Sequence, residues 1–257
     1  MAISCLSYSL YSDARRAGKL PQGGSILEFG EANWYNDVSI SVLLKDIDAF
    51  ITDERRKLDL TDRLRQISSA EPVNLFAAAH LFYDVIFQPS ERKAIDLNGT
   101  PDALPLDLNE IVDLGQQFDI CINNGTAEHV FDIGNFFRNM HQLTAPGGLM
   151  FHEAPMTGWL DHGFYNFQPT FFFDLAHAND YEMVGLFVCD LNEVKAQPLT
   201  TRKAAHQIAR RYEMPDNANL FAALRKPMEN RPFKSPRQGF YDERLDQEEV
   251  EAWKTLR

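Results

Sequence analysis

The chain has little cysteine, and its cysteines are far apart. Cys5, Cys121 and Cys189 show no Cys-x-x-Cys spacing among the 257 residues. This excludes a disulfide framework and a cysteine zinc cluster as organising features of the fold. We therefore expect free thiols and a reducing, cytoplasmic location.

The sequence also lacks a long apolar run and an excess of positive charge. The most apolar stretch, residues 73–87, is interrupted by Asn74, His80 and Asp84 and is too short to cross a bilayer. The formal net charge is −12, whereas proteins that bind nucleic acid or anionic membranes need a basic surface. We expect neither as a partner. The 44% of hydrophobic residues can form a large core, so most of the chain should fold.

Glycine and proline breakers separate several short apolar segments that have the pattern of strands. Buried parallel strands are apolar runs, and ligands bind beyond their carboxyl ends, where polar residues follow. Residues 118–124 fit this pattern best. A short segment at 103–109 contains Pro105, which is unfavourable in a central strand. The predicted strands are 25–29, 93–97, 103–109, 118–124, 149–154, 181–189 and 219–226.

A helical insertion is predicted between the first two strands. Residues 37–90 carry apolar residues at helical spacing, which indicates two or three helices. Further helices are predicted at 133–143, at 173–179 and from residue 246 onward. The N-terminal segment shows no sustained period and ends at a Pro-Gln-Gly-Gly breaker. We therefore divide the chain into an arm (1–24), one domain (25–226, with the insertion at 37–90) and a tail (227–257).

The end of the first strand is a candidate ligand-binding turn. Glu28, Gly30 and Glu31 follow an apolar pair, and Gly30 would let the backbone approach a ligand closely. An ordinary tight turn explains the same residues equally well. Asp96 ends the second predicted strand, where a carboxylate can accept both hydroxyls of a ribose.

A second polar group follows the fourth predicted strand. Asn123, Asn124 and Gly125 come directly after the apolar run, and Glu128 and His129 follow within a few residues. A Pro-Gly-Gly sequence at 146–148 then precedes the fifth strand. Because the carboxyl ends of parallel strands share one edge of a sheet, we expect these residues on the ligand side.

This ordered series resembles the class I S-adenosylmethionine-dependent methyltransferases, over roughly residues 22–226. The resemblance implies an α/β fold, with a Rossmann-like, doubly wound, seven-stranded and mostly parallel sheet whose last strand is antiparallel. It also implies S-adenosylmethionine as cofactor. Ala32 and Trp34 stand where the family's turn has its second and third glycines.

The resemblance also assigns roles to individual residues. Glu28 and Gly30 would approach the methionine part of the cofactor, Glu31 would also contact the cofactor, and Asp96 would hold the ribose. By position, Asp107 would read the adenine. The residues that would border cofactor and acceptor are Asn123, Asn124, Gly125, Glu128 and His129.

Three histidines near predicted strand ends are candidates for a catalytic base. They are His129, His152 and His162, the last beside Asp161, which could orient its ring. Each could instead make only structural hydrogen bonds. The grouping of Asp161, His162 and Asp174 is too weak a ligand pattern to predict a metal, and we expect none to be required.

The resemblance implies a methyltransferase that methylates an oxygen or nitrogen of a small molecule by in-line displacement. The aromatic segment 155–174 would form a pocket, or a lid without chemistry. The alternative is an inactive methyltransferase-like binding or regulatory subunit, suggested by Ala32 and Trp34. A nicotinamide oxidoreductase is disfavoured, because no Gly-x-Gly-x-x-Gly follows the first strand. The arm and tail could support a homo-oligomer.

Overall fold

The computed structural model describes residues 2–211 and 214–255, which form parts of two compact units, Met1–Asp107 and Leu108–Arg257. The predicted arm, domain and tail divide the chain at other places and stay predictions. The helices are α1 (Cys5–Arg16), α2 (Leu43–Phe50), α3 (Glu54–Ser69), α4 (Leu75–Ile86), α5 (Ile133–Leu143), α6 (Pro169–Ala178), α7 (Arg202–Arg211) and α8 (Gln247–Thr255). The strands are β1 (Ala2–Ile3), β2 (Ser25–Phe29), β3 (Asn33–Trp34), β4 (Glu91–Ile95), β5 (Phe118–Asn124), β6 (Thr144–Thr157), β7 (Glu182–Asp190), β8 (Lys195–Pro198) and β9 (Ala218–Arg225).

The sheet has seven strands and is mostly parallel, which confirms the predicted α/β class. In the first unit, β2 and β4 pair in parallel. In the second unit, the order is β5-β6-β9-β7-β8. There β5 and β6 are parallel, whereas β9 is antiparallel to both β6 and β7. The predicted antiparallel last strand is β9, and β8 is an additional strand that pairs with β7.

The prediction of a strand at 103–109 is wrong. Only an isolated bridge joins Leu104 to Ile95. The Leu104 N–H donates to the Ala94 carbonyl, and the Asp96 N–H donates to the Leu104 carbonyl. Pro105 follows directly and has no N–H to donate, so the ladder cannot continue through it.

The helical insertion is confirmed as three helices, α2 to α4, preceded by a short 3₁₀ turn at Ile40–Val42. Asp53 caps α3 by accepting the Arg56 N–H, and Asn74 caps α4 by accepting the Ala77 N–H. Such caps satisfy backbone donors that the helix itself leaves unpaired. In α3 the residues at helical spacing, Leu60, Leu64 and Ile67, are the buried ones. No described helix is long and apolar enough to span a membrane.

The N-terminal segment is more regular than predicted. It contains the 12-residue helix α1, whose N-cap Ser4 accepts the Ser7 N–H. The strand β1 pairs in parallel with β3. The helix has a weak apolar pattern, and tertiary contacts stabilise it: Tyr8 and Arg16 both donate to the buried carboxylate of Asp46 in α2. The sequence period could not reveal such contacts.

Candidate functional site

The turn after β2 contains a glycine in a backbone conformation that other residues rarely adopt. Gly30 has φ +87°, in the left-handed region, and its N–H donates to the Ile95 carbonyl at 2.7 Å. Ala32, at the second glycine position, is buried and does not have a positive φ. An alanine is therefore accommodated there without backbone strain.

Glu28 supports this turn from inside the first unit. Its side chain is buried, Oε2 accepts the Ala32 N–H at 3.0 Å, and Oε1 lies 2.8 Å from Arg92 Nη1. Burial raises the pKa of Glu28 to about 7, and the Arg92 charge opposes that shift. Both carboxylate oxygens of Glu28 are thus engaged in contacts that shape the turn.

Asp96 connects the turn after β2 to the turn after β4. Its Oδ2 accepts the Glu31 N–H at 2.9 Å, and its Oδ1 accepts the Asn98 N–H at 2.8 Å. A carboxylate has about four acceptor sites, so the half-buried Asp96 retains capacity on both oxygens after these two bonds. The position is suited to the two hydroxyls of a ribose.

The carboxylate of Glu31 is engaged within the same corner of the first unit. It accepts the Thr100 hydroxyl at 2.9 Å and lies 3.0 Å from His80 Nε2. A Cβ at Gly99 would lie 2.8 Å from Glu31 Oε2 and 2.8 Å from Ala103 Cβ, so a larger residue there would displace these side chains. Sequence reasoning missed His80, Arg92 and Thr100, because nothing in their spacing indicates that they meet these carboxylates.

Two other residues singled out from sequence lie elsewhere in the first unit. Asp107 is exposed and lies outside any helix or strand. The ring of Trp34 is fully buried and packs edge-on against Tyr8 and Phe82, with centroids 6.0 and 5.9 Å away. Its indole N–H donates to the Val38 carbonyl at 2.7 Å. Trp34 is therefore a core residue.

In the second unit, the end of β5 builds a tight polar turn. Asn123 Oδ1 accepts the N–H groups of Thr126 and Ala127 and so begins the 3₁₀ turn Ala127–His129. Gly125, with φ +79°, donates its N–H to the Glu153 carbonyl at 2.9 Å. Asn124 is buried beside them. These contacts fix the direction in which Glu128 and His129 leave the strand.

Glu128, His129 and His162 form a cluster, which we call the Glu128 cluster. Glu128 Oε1 lies 3.9 Å from His129 Nε2 and 3.8 Å from His162 Nε2, and the two rings are 4.9 Å apart. The Glu128 side chain is 2% exposed, whereas those of His129 and His162 are 46% and 38% exposed. The cluster thus places a buried carboxylate behind two accessible imidazoles.

Backbone contacts place His162 in this cluster. The Phe164 N–H donates to the Glu128 carbonyl at 2.7 Å, which fixes the aromatic loop, residues 158–168, against the 3₁₀ turn. A Cβ on Gly163 would lie 2.9 Å from the same carbonyl, so the close approach depends on glycine. The ring of Trp159 lies 4.6 Å from that of His162.

Desolvation dominates the electrostatics of the cluster. Burial raises the pKa of Glu128 to about 7, and the nearby charge of Glu153 adds to that shift. Burial and the neighbouring His162 lower the pKa of His129. Glu128 Oε2 is buried and has no hydrogen-bond partner among the described residues.

The other two predicted catalytic residues are placed differently. Asp161 is exposed, has φ +61°, and makes no hydrogen bond or ion pair with a described residue, so Glu128 is the carboxylate that faces His162. His152 is buried between Phe137 and Phe172, and neither of its nitrogens has a described partner. Burial lowers the pKa of His152 to about 3. This environment favours a structural role over a role as base.

The sequence matches none of the compared protein-family models and no curated protein. Among solved structures, the chain is similar to the N-methyltransferase NodS from Bradyrhizobium japonicum WM9 in complex with S-adenosyl-L-homocysteine. That match has 13% identity and a TM-score of 0.46, and it covers 87% of this chain and 89% of NodS. A methyltransferase from Mesorhizobium loti matches with 14% identity and a TM-score of 0.43, over 83% and 96% of the two chains. At such low similarity, function has to be inferred from the site itself.

Proposed function

We propose that the protein is an S-adenosylmethionine-dependent methyltransferase that methylates an oxygen or nitrogen atom of a small molecule. The observation that carries this proposal is the carboxylate of Asp96, which lies at the end of β4 against the glycine turn after β2. Its two backbone hydrogen bonds orient it and leave acceptor sites free. An oriented carboxylate beside a glycine turn is the arrangement that binds the ribose of a nucleotide-like cofactor.

The residues of the first unit fit such a cofactor in part. Gly30 and the backbone of Glu31 would face its amino acid portion, and Asp96 its ribose; Asp107 remains the proposed adenine contact. The side chain of Glu28 holds the turn after β2, and that of Glu31 joins this turn to the one after β4. The bound cofactor supplies a methyl group on a positively charged sulfur, which an aligned nucleophile can displace.

In the second unit, Asn123, Asn124, Gly125 and Glu128 are the proposed cofactor and acceptor contacts. The Glu128 cluster offers the accessible groups for an acceptor. An imidazole nitrogen of the accessible His129 or His162 side chain would accept the proton of a hydroxyl acceptor. A neutral amine would lose its proton after transfer, so alignment is the larger requirement for that class.

The alternative, an inactive binding or regulatory subunit, was motivated by Trp34 in the cofactor turn. The fully buried ring of Trp34 and its bond to Val38 support a role in the core of the first unit. Ala32 without a positive φ removes the other motive, which was backbone strain. The active enzyme is therefore the function that the site supports better.

Calorimetric titration with S-adenosylmethionine and S-adenosylhomocysteine tests the proposal. We expect one site per chain, and about tenfold or greater weakening in Asp96→Asn, which leaves the ribose with one charged acceptor fewer. Asp59→Asn, an exposed aspartate on α3, is the matched control and should bind like the wild type. Absence of heat with both ligands would contradict the proposal. Binding without formation of S-adenosylhomocysteine from any acceptor would favour the inactive subunit.

A further inference from the structure

The Glu128 cluster has the composition of a metal site as well as that of a proton-transfer site. One ligand atom from each of its three residues lies within 4.8 Å of the others, and all three residues belong to the second unit. Two imidazoles and one carboxylate are a common donor set for borderline divalent cations such as Zn²⁺, Co²⁺, Ni²⁺ and Fe²⁺. Hard cations such as Mg²⁺ prefer oxygen ligands throughout.

The distances in the cluster are close to those that a bound cation would impose. Metal–ligand bonds of about 2.0–2.1 Å place two tetrahedral ligand atoms about 3.4 Å apart. Glu128 Oε1 is at 3.9 Å from His129 Nε2 and at 3.8 Å from His162 Nε2. The ligand atoms of the two histidines lie within 4.8 Å of each other. Because both imidazoles are accessible, side-chain rotations can bring them closer to each other and to Glu128.

An independent observation also points to a ligand at this place. The Glu128 side chain is only 2% exposed, and its Oε2 has no hydrogen-bond partner among the described residues. A carboxylate removed from water in this way is costly unless a cation or donors compensate it. The backbone contacts that fix Glu128 and the loop of His162 keep this arrangement in place.

We propose that Glu128, His129 and His162 bind one divalent cation of the Zn²⁺ or Co²⁺ class. Three protein ligands leave at least one coordination position open, which is typical of catalytic rather than structural metal sites. That position could take a hydroxyl, thiol or amine group of a ligand. This inference does not rest on the proposed function, because cation binding by these three residues can be measured without cofactor or acceptor. An imidazole nitrogen that binds the cation does not also act as base, so the cation would take the place of that role.

The first test is a Co²⁺ titration of chelator-treated protein without a polyhistidine tag. Visible absorption reports coordination, calorimetry gives the stoichiometry, and Trp159 beside His162 should lose fluorescence as Co²⁺ binds. We expect one equivalent to bind and Zn²⁺ to displace it. No stoichiometric binding of either cation, or a preference for Mg²⁺ over both, would overturn the proposal.

Variants assign the binding to these residues. His129→Asn and His162→Asn change exposed side chains and should fold normally, while Co²⁺ affinity should fall by about tenfold or more. Glu128→Gln keeps the shape of the buried ligand and should lose affinity similarly. His177→Asn changes an exposed histidine on α6 and is the control. Unchanged binding in both His129→Asn and His162→Asn, with loss in His177→Asn, would show adventitious surface binding.

Absence of Co²⁺ binding by the wild-type protein, with S-adenosylhomocysteine binding present, would overturn the metal inference alone. Co²⁺ binding by the wild-type protein without S-adenosylhomocysteine binding would overturn the proposed cofactor alone.

Discussion

Two buried polar residues of the second unit show how burial separates candidate functional residues from structural ones. Glu128 is buried, but Oε1 faces two accessible imidazoles. His152 is also buried, but the rings near it are those of Phe137 and Phe172. A buried polar group beside accessible polar groups is a candidate for chemistry, whereas one enclosed by rings contributes to packing.

His152→Leu should leave the protein at least as stable at pH 7. The two ring nitrogens of His152 have no hydrogen-bond partner among the described residues, and leucine replaces the ring by an apolar group of similar size. The folded-state pKa of about 3 lies below the unfolded value of about 6.5. The unfolded state therefore binds more protons between these values, and the wild type loses stability as the pH falls from 6.5 towards 3. The variant should lack this loss and gain about 2 kcal/mol over the wild type at pH 5.

Urea unfolding from pH 4.5 to 8 measures this difference. His177→Gln, at an exposed position on α6, should keep the pH profile of the wild type. A His152→Leu profile parallel to that of the wild type would refute the assignment. Retained methyl transfer by the variant would exclude His152 as the base.

At the scale of elements, the aromatic loop depends on one close backbone approach. Gly163→Ala would place a Cβ at 2.9 Å from the Glu128 carbonyl and 3.1 Å from Glu128 Cγ. The loop must then move away from the 3₁₀ turn, at an expected cost of about 1–3 kcal/mol for overpacking. Because His162 is on this loop, Co²⁺ affinity should fall as well.

Gly134→Ala is the matched control for that variant. Its added Cβ would lie 3.5 Å from Asp132 Oδ1, an ordinary contact, on helix α5. Alanine favours a helix over glycine, so stability should be equal or greater. Denaturant unfolding and Co²⁺ titration of both variants give the comparison, and equal behaviour of the two would contradict the role of Gly163.

Helix α1 is held by a hydrogen-bond network that can be tested in the same way. Asp46 in α2 is fully buried and accepts the Tyr8 hydroxyl and Arg16 Nη2, each at 2.7 Å. Asp46→Asn removes the negative charge and replaces one carboxylate oxygen by an NH₂ group. That NH₂ group would face a hydrogen-bond donor, either the Tyr8 hydroxyl or the Arg16 guanidinium. We expect a loss of about 1–3 kcal/mol in the free energy of unfolding.

Asp48→Asn tests the same change on the same helix in an exposed ion pair. Asp48 is 64% exposed and lies 2.9 Å from Lys57 Nζ. Exposed pairs contribute little, so its loss should stay within about 0.5 kcal/mol. Guanidinium unfolding of the two variants measures both losses in the free energy of unfolding. Losses of similar size would show that α1 does not depend on Asp46.

At the scale of the whole molecule, ligand binding should be visible as stability. A ligand that binds only the folded chain at 100 times its Kd adds about 2.7 kcal/mol to the free energy of unfolding. S-Adenosylhomocysteine should therefore raise the Tm in a concentration-dependent way. The shift should fall to about half or less in Asp96→Asn and be kept in Asp59→Asn. A shift of equal size in both variants would place the ligand away from Asp96.

Much of the fold could be predicted because its signals are local. Apolar runs bounded by glycine and proline indicated β2, β5 and β9, and helical spacing indicated the three inserted helices. Of the site, Gly30 and Asp96 could be found from their positions at strand ends. The strand at 103–109 was mispredicted because its short apolar run outweighed the effect of Pro105 on backbone pairing.

The sequence by itself determined the α/β class, the order of the polar strand ends and the glycine of the first turn. These features follow from local properties: the pattern of apolar residues along the chain and the backbone freedom of glycine. Only the tertiary structure decided that Trp34 is a core residue, that Asp96 is oriented by the Glu31 backbone, and that Glu128 rather than Asp161 faces His162. Those facts depend on how loops close and on which side chains lose contact with water. Spacing along the chain cannot specify either.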